Sequence, residues 1–379
     1  GLPRTATTRY AYADPANPGD LTSITDANGK VTTFTYDSHG NQSTLTDPTG
    51  RTTRSTYNTL GWLTSTISPE GTKAGAVADD HATLYGDFTA AGQPRDVRDA
   101  MKKHTLFAYD SNGNQTESVD SEQRRTVSTY DGENKPTKVT LDGVTTATLV
   151  YDDNGNLTQQ GDGLAHFTTY GYDALNRVVT VTDPLAHTTR YAYDSAGNRS
   201  SSTDAENQVS RSTYDAAGQI TATTDAENRT TTYGYDALGR LATVTDAQGR
   251  ITRTTYDSLG RRAQTQQGTT TQLAAGTLPV TGAWTYDLTG NVLTQTDGTT
   301  GTTTYTRDDA GRPTTVSDPL ARATSLAYDQ DGNTTTITRP GPATTTNMFD
   351  ALGRLTGIDY PALPRTSATG TTAPAGASA

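Results

Sequence analysis

Large apolar side chains recur along this chain in pairs two residues apart: Phe34/Tyr36, Phe107/Tyr109, Tyr170/Tyr172, Tyr191/Tyr193, Tyr233/Tyr235 and Trp284/Tyr286. Thr, Ser and Arg fill most positions around them. A spacing of two places both members on one face of a β-strand and the polar residues on the other. Each pair therefore predicts a strand of about six residues with an aromatic ladder on one face. The segment that follows each pair behaves differently. Its apolar positions, such as Leu241 and Val244 or Val178 and Val181, lie three apart. That step breaks strand parity and leaves two readings open, a β-bulge or partial cover on both faces.

The pattern is periodic. Taking the aromatic of each Tyr-Asp pair as position zero, it falls at Tyr36, Tyr57, Phe88, Tyr109, Tyr130, Tyr151, Tyr172, Tyr193, Tyr214, Tyr235, Tyr256, Tyr286, Arg307, Tyr328 and Phe349, and twelve of the fourteen steps are 21 residues. The other two, 31 and 30 residues, mark insertions expected to lengthen turns around Ser68 to His81 and Gln266 to Gly282. Asp follows position zero in thirteen repeats, and position four is Gly in thirteen, with Asn134 and Asn176 in the other two. Gly and Asn tolerate positive φ, so this site predicts a left-handed residue closing a type I turn with a bulge. A second turn repeats the chemistry, as in Asp47-Pro48-Thr49-Gly50 and Asp246-Ala247-Gln248-Gly249. Each repeat then reads as two strands joined by similar turns, and successive repeats as one long antiparallel meander. The residues expected to carry this architecture are the repeated triplets Tyr109, Asp110 and Gly113; Tyr193, Asp194 and Gly197; Tyr235, Asp236 and Gly239; and Tyr256, Asp257 and Gly260.

Composition sharpens this picture. Only 31% of residues are hydrophobic, against roughly 45–50% in a globular domain. Yet the 379 residues include 80 Thr, 20 Tyr and 36 Gly, which fits a sheet with little apolar surface to bury rather than a disordered chain. A net charge of −11 with scattered basic residues argues against a nucleic-acid partner. No run of 18 apolar residues occurs, so no membrane-spanning helix is expected. The absence of Cys excludes disulfides, a thiolate nucleophile and Cys zinc sites. The start at Gly-Leu-Pro-Arg reads as a piece of something longer. One repeat domain is expected over residues 1–360, followed by a Thr/Ala/Pro/Gly-rich flexible tail over 361–379.

The Tyr-Asp-x-x-Gly-[Asn/Arg] unit at this period resembles the YD (Rhs) repeats of bacterial polymorphic toxins, insecticidal toxin-complex shells, wall-associated proteins and animal teneurins. The resemblance covers Tyr12 to Tyr360. It implies an all-β fold in which the meander curls into a spiral, hollow β-shell, closed or incomplete. It also implies a non-enzymatic role in a secreted or surface-delivered protein, with an encapsulated C-terminal polypeptide or adjacent shell segments as partners. Family toxins carry a self-cleavage motif built on two Asp-Pro-x-Gly units, but here Asp47-Pro48-Thr49-Gly50 is the sole example, so self-cleavage is not expected. The alternative is a surface adhesion or carbohydrate-binding module whose aromatics stack on glycans.

Catalytic and metal readings are weak. No Gly-x-Ser-x-Gly, Walker or His-Glu-x-x-His motif is present. His166 and His187 share a repeat position, but equivalent strands are about 9–10 Å apart, and both read as surface strand residues. Asp79-Asp80-His81, and the loops Asp152 to Asn156 and Asp329 to Asn333, offer ligand types that turn geometry already explains. No cofactor or metal is expected. Arg240, Arg250 and Arg261 read as a solvated face paired with nearby Asp.

Overall fold

The structure, a computed structural model, describes residues 6–15, 18–298, 301–341 and 343–360. The expected tail over 361–379 lies outside the described residues. Thirty-two strands run from Arg9–Ala11 to Leu355–Asp359 in a single sheet. Strands adjacent in sequence pair antiparallel, so the sheet is the long meander that the repeat predicts. The first strand pairs with Ser23–Thr25 and the last with Thr344–Phe349; neither pairs with the other.

The apolar spacing of three resolves as a bulge. In the strands Thr230–Tyr235 and Leu241–Thr245, Tyr233 faces Val244 and Tyr235 faces Leu241, so Ala242 is the extra residue between them. The same slip sets Tyr172 against Val178 and Tyr36 against Gln42. Because one residue is skipped, side chains three apart point to the same side, and the aromatic face keeps its parity. The opposite face shows the complement: Thr35 Oγ1 bonds both Ser43 Oγ at 2.9 Å and Thr44 Oγ1 at 2.6 Å.

Very little of this sheet is buried. Ala82, Ala100, Ile251 and Leu278 are the buried hydrophobic residues among those described, and no large side chain is fully enclosed. The accessible surface is 23098 Å² for 40.1 kDa, whereas a compact globule of that mass exposes about 14,000 Å². Backbone pairing and turn chemistry, rather than an oily core, therefore define the wall.

The insertions supply local cover. The first folds as α1 (Pro69–Thr72) and a 3₁₀ turn (Ala78–His81). The second differs from expectation: Gln266 to Thr269 continue the strand Arg262–Thr269, and Val280 to Gly282 already belong to the strand Val280–Tyr286. Arg250 pairs with Thr269, so the extra residues first lengthen a hairpin and the added turn spans 270–279, containing α2 (Thr270–Ala274). Thr269 caps α2, accepting the Gln272 N–H while the Gln272 side chain accepts from Thr269 N.

Candidate functional site

Each Tyr-Asp turn is wired by its own residues. Asp236 Oδ1 accepts the N–H groups of Leu238 at 2.9 Å and Arg240 at 3.0 Å, and Oδ2 accepts Arg240 Nε at 2.7 Å. Gly239, at φ +75°, donates its N–H to Asp236 O at 2.9 Å. Asp257 and Gly260 (φ +79°) repeat this with Leu259 and Arg261. In the turns of Asp110 and Asp194, the amides of Asn114 and Asn198 replace the guanidinium, and Gly113 and Gly197 lie at φ +87° and +91°. These bonds hold the carboxyls below their ordinary range: the Asn114 amide dominates at Asp110, the Asn198 amide at Asp194 and the Arg240 guanidinium at Asp236. At Asp257 burial pushes the carboxyl up, and the Arg261 bonds more than offset it.

The tyrosines tie one repeat to the next. The hydroxyls of Tyr109, Tyr193, Tyr235 and Tyr256 donate to Pro94 O, Val178 O, Ile220 O and Leu241 O at 3.1, 2.7, 2.9 and 2.7 Å. Each acceptor sits fifteen residues upstream, at the start of the outgoing strand, where the ladder leaves it available. Two substituted repeats keep the bond. Arg307 reaches Val292 O at 3.2 Å, and where Phe349 lacks a hydroxyl, Asn347 Nδ2 reaches Thr334 O at 2.8 Å.

Position five, the Asn/Arg that closes the repeat unit, has a structural role that the sequence did not disclose. Arg240 and Arg261 pair with nearby Asp236 and Asp257 as expected, but they do not form a solvated face. They lie half-buried in turns, their guanidiniums 4.5 Å and 4.7 Å from the rings of Tyr256 and Tyr286, while Arg250 is exposed and pairs with Asp246. Gln219 uses its amide instead, donating to Gly239 O at 2.7 Å. The signal was present as a run of Asn, Arg, Gln and Lys directly after the turn glycine.

The second arrangement is a seam where the meander meets itself. Asn28 Nδ2 donates to Asp287 Oδ2 at 3.0 Å and Thr289 Oγ1 at 2.8 Å, across 259 and 261 residues. Lys30 pairs with Asp309 at 2.5 Å. Further along, Asp331 accepts from Ser68 Oγ at 2.9 Å and from Glu70 N at 3.0 Å, and Glu70 Oε1 accepts Gln330 N at 2.8 Å. Second-type turns of early repeats, with α1, thus stack on Tyr-Asp turns of late repeats. The cleft along this seam, about 460 Å³, is lined by Asp26, Lys30, Asp47, Arg51, Asp287 and Arg307. Its charged groups already have partners: Asp47, in the Asp-Pro-x-Gly turn, holds Arg51, Lys30 pairs with Asp309, Asp287 accepts the Asn28 and Asn291 amides, and Arg307 donates to Val292 O. Asp331→Ala should speed hydrogen exchange at the Glu70 amide by roughly tenfold, for a local loss of about 1–2 kcal/mol. Unchanged exchange there would remove the seam assignment.

The other candidates are dispersed. His166 and His187 are turn residues, not strand residues, and each bonds its own turn carboxylate, Asp162 or Asp183, at 2.9 Å. Asp79 pairs with Arg98, and Asp80 with Lys102 at 2.9 Å. Asp152 and Asp329 are occupied by the amides of Asn156 and Asn333. Among the described residues no cluster of three His, Asp or Glu is placed to hold a metal ion.

The RHS repeat family model matches residues 19–52, 39–73, 151–188, 177–209, 214–251, 235–272 and 286–323, together more than half of the chain. No curated protein matches it. Among solved structures, one of TcdB2-TccC3-Cdc42 aligns at a TM-score of 0.72 and 17% identity, covering 86% of this chain and 19% of that one. The pore form of a Photorhabdus luminescens Tc holotoxin aligns at 0.72 and 16%, covering 93% and 22%. TcdB2-TccC3-TEV aligns at 0.71 and 16%, covering 92% and 22%. The chain thus spans about a fifth of the solved chains it resembles, and at this identity the likeness is one of fold. With the 21-residue unit, the bulged hairpins and the family matches in agreement, the chain belongs to the RHS repeat family.

Proposed function

We propose that this chain is a wall segment of a toxin-complex-type β-shell, non-enzymatic, in a secreted or surface-delivered protein whose shell encloses or presents another polypeptide. The observation that carries the reading is the seam: an open meander with almost no core comes round on itself and binds edge to edge after about 260–280 residues. A strip that winds without a core surrounds space. The fold neighbours include a structure of TcdB2-TccC3-Cdc42 and one of a Tc holotoxin pore. On this reading residues 1–360 form one repeat unit with a tail beyond, and the Tyr, Asp and Gly triplets work as architecture rather than as a ligand site.

Glycan adhesion is the weaker reading. The position-zero hydroxyls are committed to backbone carbonyls, and several of the rings carry a guanidinium from the preceding repeat, which leaves the ladder poorly placed to stack on sugars. No helix among the described residues is long and apolar enough to cross a membrane.

Limited proteolysis of the full-length gene product tests enclosure. Non-repeat polypeptide should survive while the repeats are intact and be digested once acid or denaturant opens the sheet. Digestion of that polypeptide beside intact repeats would overturn the proposal.

A further inference from the structure

The face opposite the aromatic ladder carries a charge pattern that the wall itself does not use. Arg54, Arg190, Arg211 and Arg253 all lie three residues before position zero, at Tyr57, Tyr193, Tyr214 and Tyr256. All four are exposed on the Thr-bearing side of the sheet, as is Lys138 on the bulged strand Pro136–Leu141. None of the five side chains makes a hydrogen bond or ion pair with another described residue. Elsewhere on this face His104 pairs with Asp96 and Arg125 with Glu117, while Arg9 on the first strand and Asp359 on the last are unmatched among the described residues. In a chain of net charge −11, with its acidic residues concentrated in turns, mid-height of this face is therefore a belt of uncommitted cations.

Many hydroxyls of this face bond one another, as in Thr35 with Thr44, Thr129 with Thr137 and Thr213 with Thr221. Thr180, Ser201 and Thr243, the cross-strand partners of Arg190, Arg211 and Arg253, make no side-chain hydrogen bond among the described residues, so the guanidiniums are charged donors left for a partner beside free hydroxyls. Arg190 and Arg211 lie two strands apart, about 9–10 Å, and Arg211 and Arg253 four strands apart, about 19 Å. Three residues of extended polypeptide span about 10 Å. The register therefore suits carboxylates at every third position of a chain extended as polyproline II, whose three residues per turn and rise of about 3.1 Å bring every third side chain to one side about 9–10 Å apart.

We propose that the Thr/Arg face is a docking surface for an acidic, extended polypeptide, with Arg190, Arg211 and Arg253 as its principal contacts. This deepens the shell reading, and rests on it, by naming the chemistry through which the wall holds its enclosed or presented polypeptide. Binding by such exposed charges is weak and sensitive to salt.

The test titrates the 379-residue chain into fluorescently labelled poly-L-glutamate, with poly-L-glutamine and heparin as comparison probes, at low and physiological salt. The triple variant Arg190→Thr, Arg211→Thr, Arg253→Thr is structurally conservative, because Thr33, Thr169, Thr232 and Thr304 occupy the same register in other repeats. Poly-L-glutamate should bind at low salt, weaken as salt rises, and lose at least about tenfold in affinity in the triple variant. Arg250→Gln, removing an exposed turn cation, should leave binding unchanged. Absence of poly-L-glutamate binding, or equal binding by the triple variant, overturns the proposal; heparin binding that is tighter and equally sensitive to the triple overturns the partner class. Because the titration reads this face alone and proteolysis reads enclosure, either result can fail without the other.

Discussion

Gly239→Val is expected to destabilise the protein by about 2–4 kcal/mol, whereas His166→Ala should change stability by less than about 0.5 kcal/mol. Gly239 sits at φ +75°, where a β-branched residue is a severe outlier. A Cβ there would also stand 3.3 Å from Gln219 Nε2. That amide donates to Gly239 O at 2.7 Å, so the substitution strains the turn and disturbs the link to the preceding repeat together. His166, by contrast, is an exposed turn residue whose pairing with Asp162 is screened by solvent. A third variant isolates the backbone effect. Gly239→Asn should recover most of the loss, because Asn134 and Asn176 occupy the same repeat position at φ 64° and 59°. Thermal unfolding of the three variants decides the matter, and equal melting of the valine and alanine variants would remove the turn assignment.

The strand-turn-strand unit was readable because its determinants are local. Alternation of aromatic and Thr positions fixes faces, and Asp with Gly at fixed offsets fixes turns. The bulge was visible as a parity break at Leu241 and Val244 but could not be assigned, since the choice depends on pairing with Tyr233 and Tyr235 across the hairpin. Position five escaped for a similar reason. Arg240 looks like a surface cation in a linear reading, and its contact with Tyr256 exists only once the next hairpin is laid beside it. The seam was further out of reach. Asn28 and Asp287 are ordinary turn residues, and nothing local says that the accumulated twist and curvature of the strip brings them within 3.0 Å. The second insertion misled in a different way, because an inserted segment can extend a hairpin as well as a loop, and Gln266 to Thr269 took the first course.

The other large effect should appear on acidification: the melting temperature is expected to hold from pH 7 to about pH 5 and then fall steeply below pH 4. Turn carboxyls throughout the sheet lie below their ordinary range, with side-chain bonds from Arg124, Arg177, Arg229, Arg240 and Arg322 as the leading cause at Asp120, Asp173, Asp225, Asp236 and Asp318. At the seam, burial pushes Asp47, Glu70 and Asp287 up, and their hydrogen bonds more than reverse it. A carboxyl lowered in the folded state contributes stability that is complete above its unfolded value, about 4. The contribution declines as pH falls through that value and is gone once pH has passed the lowered folded one. Each exposed turn contributes little, but a repeat wall depends on all of its turns and has almost no core to compensate, so the losses accumulate along the strip. Circular dichroism melts at constant ionic strength, from pH 7 to pH 2.5, follow the effect directly. Asp236→Asn supplies the internal control: it should be less stable than the parent at pH 7, and its deficit should shrink as the pH falls below the ordinary carboxyl value and the parent carboxyl begins to take up its proton. A melting temperature that stays flat to pH 2.5, with no deficit in that variant at pH 7, would show that the turns are held by backbone geometry without help from their carboxylates.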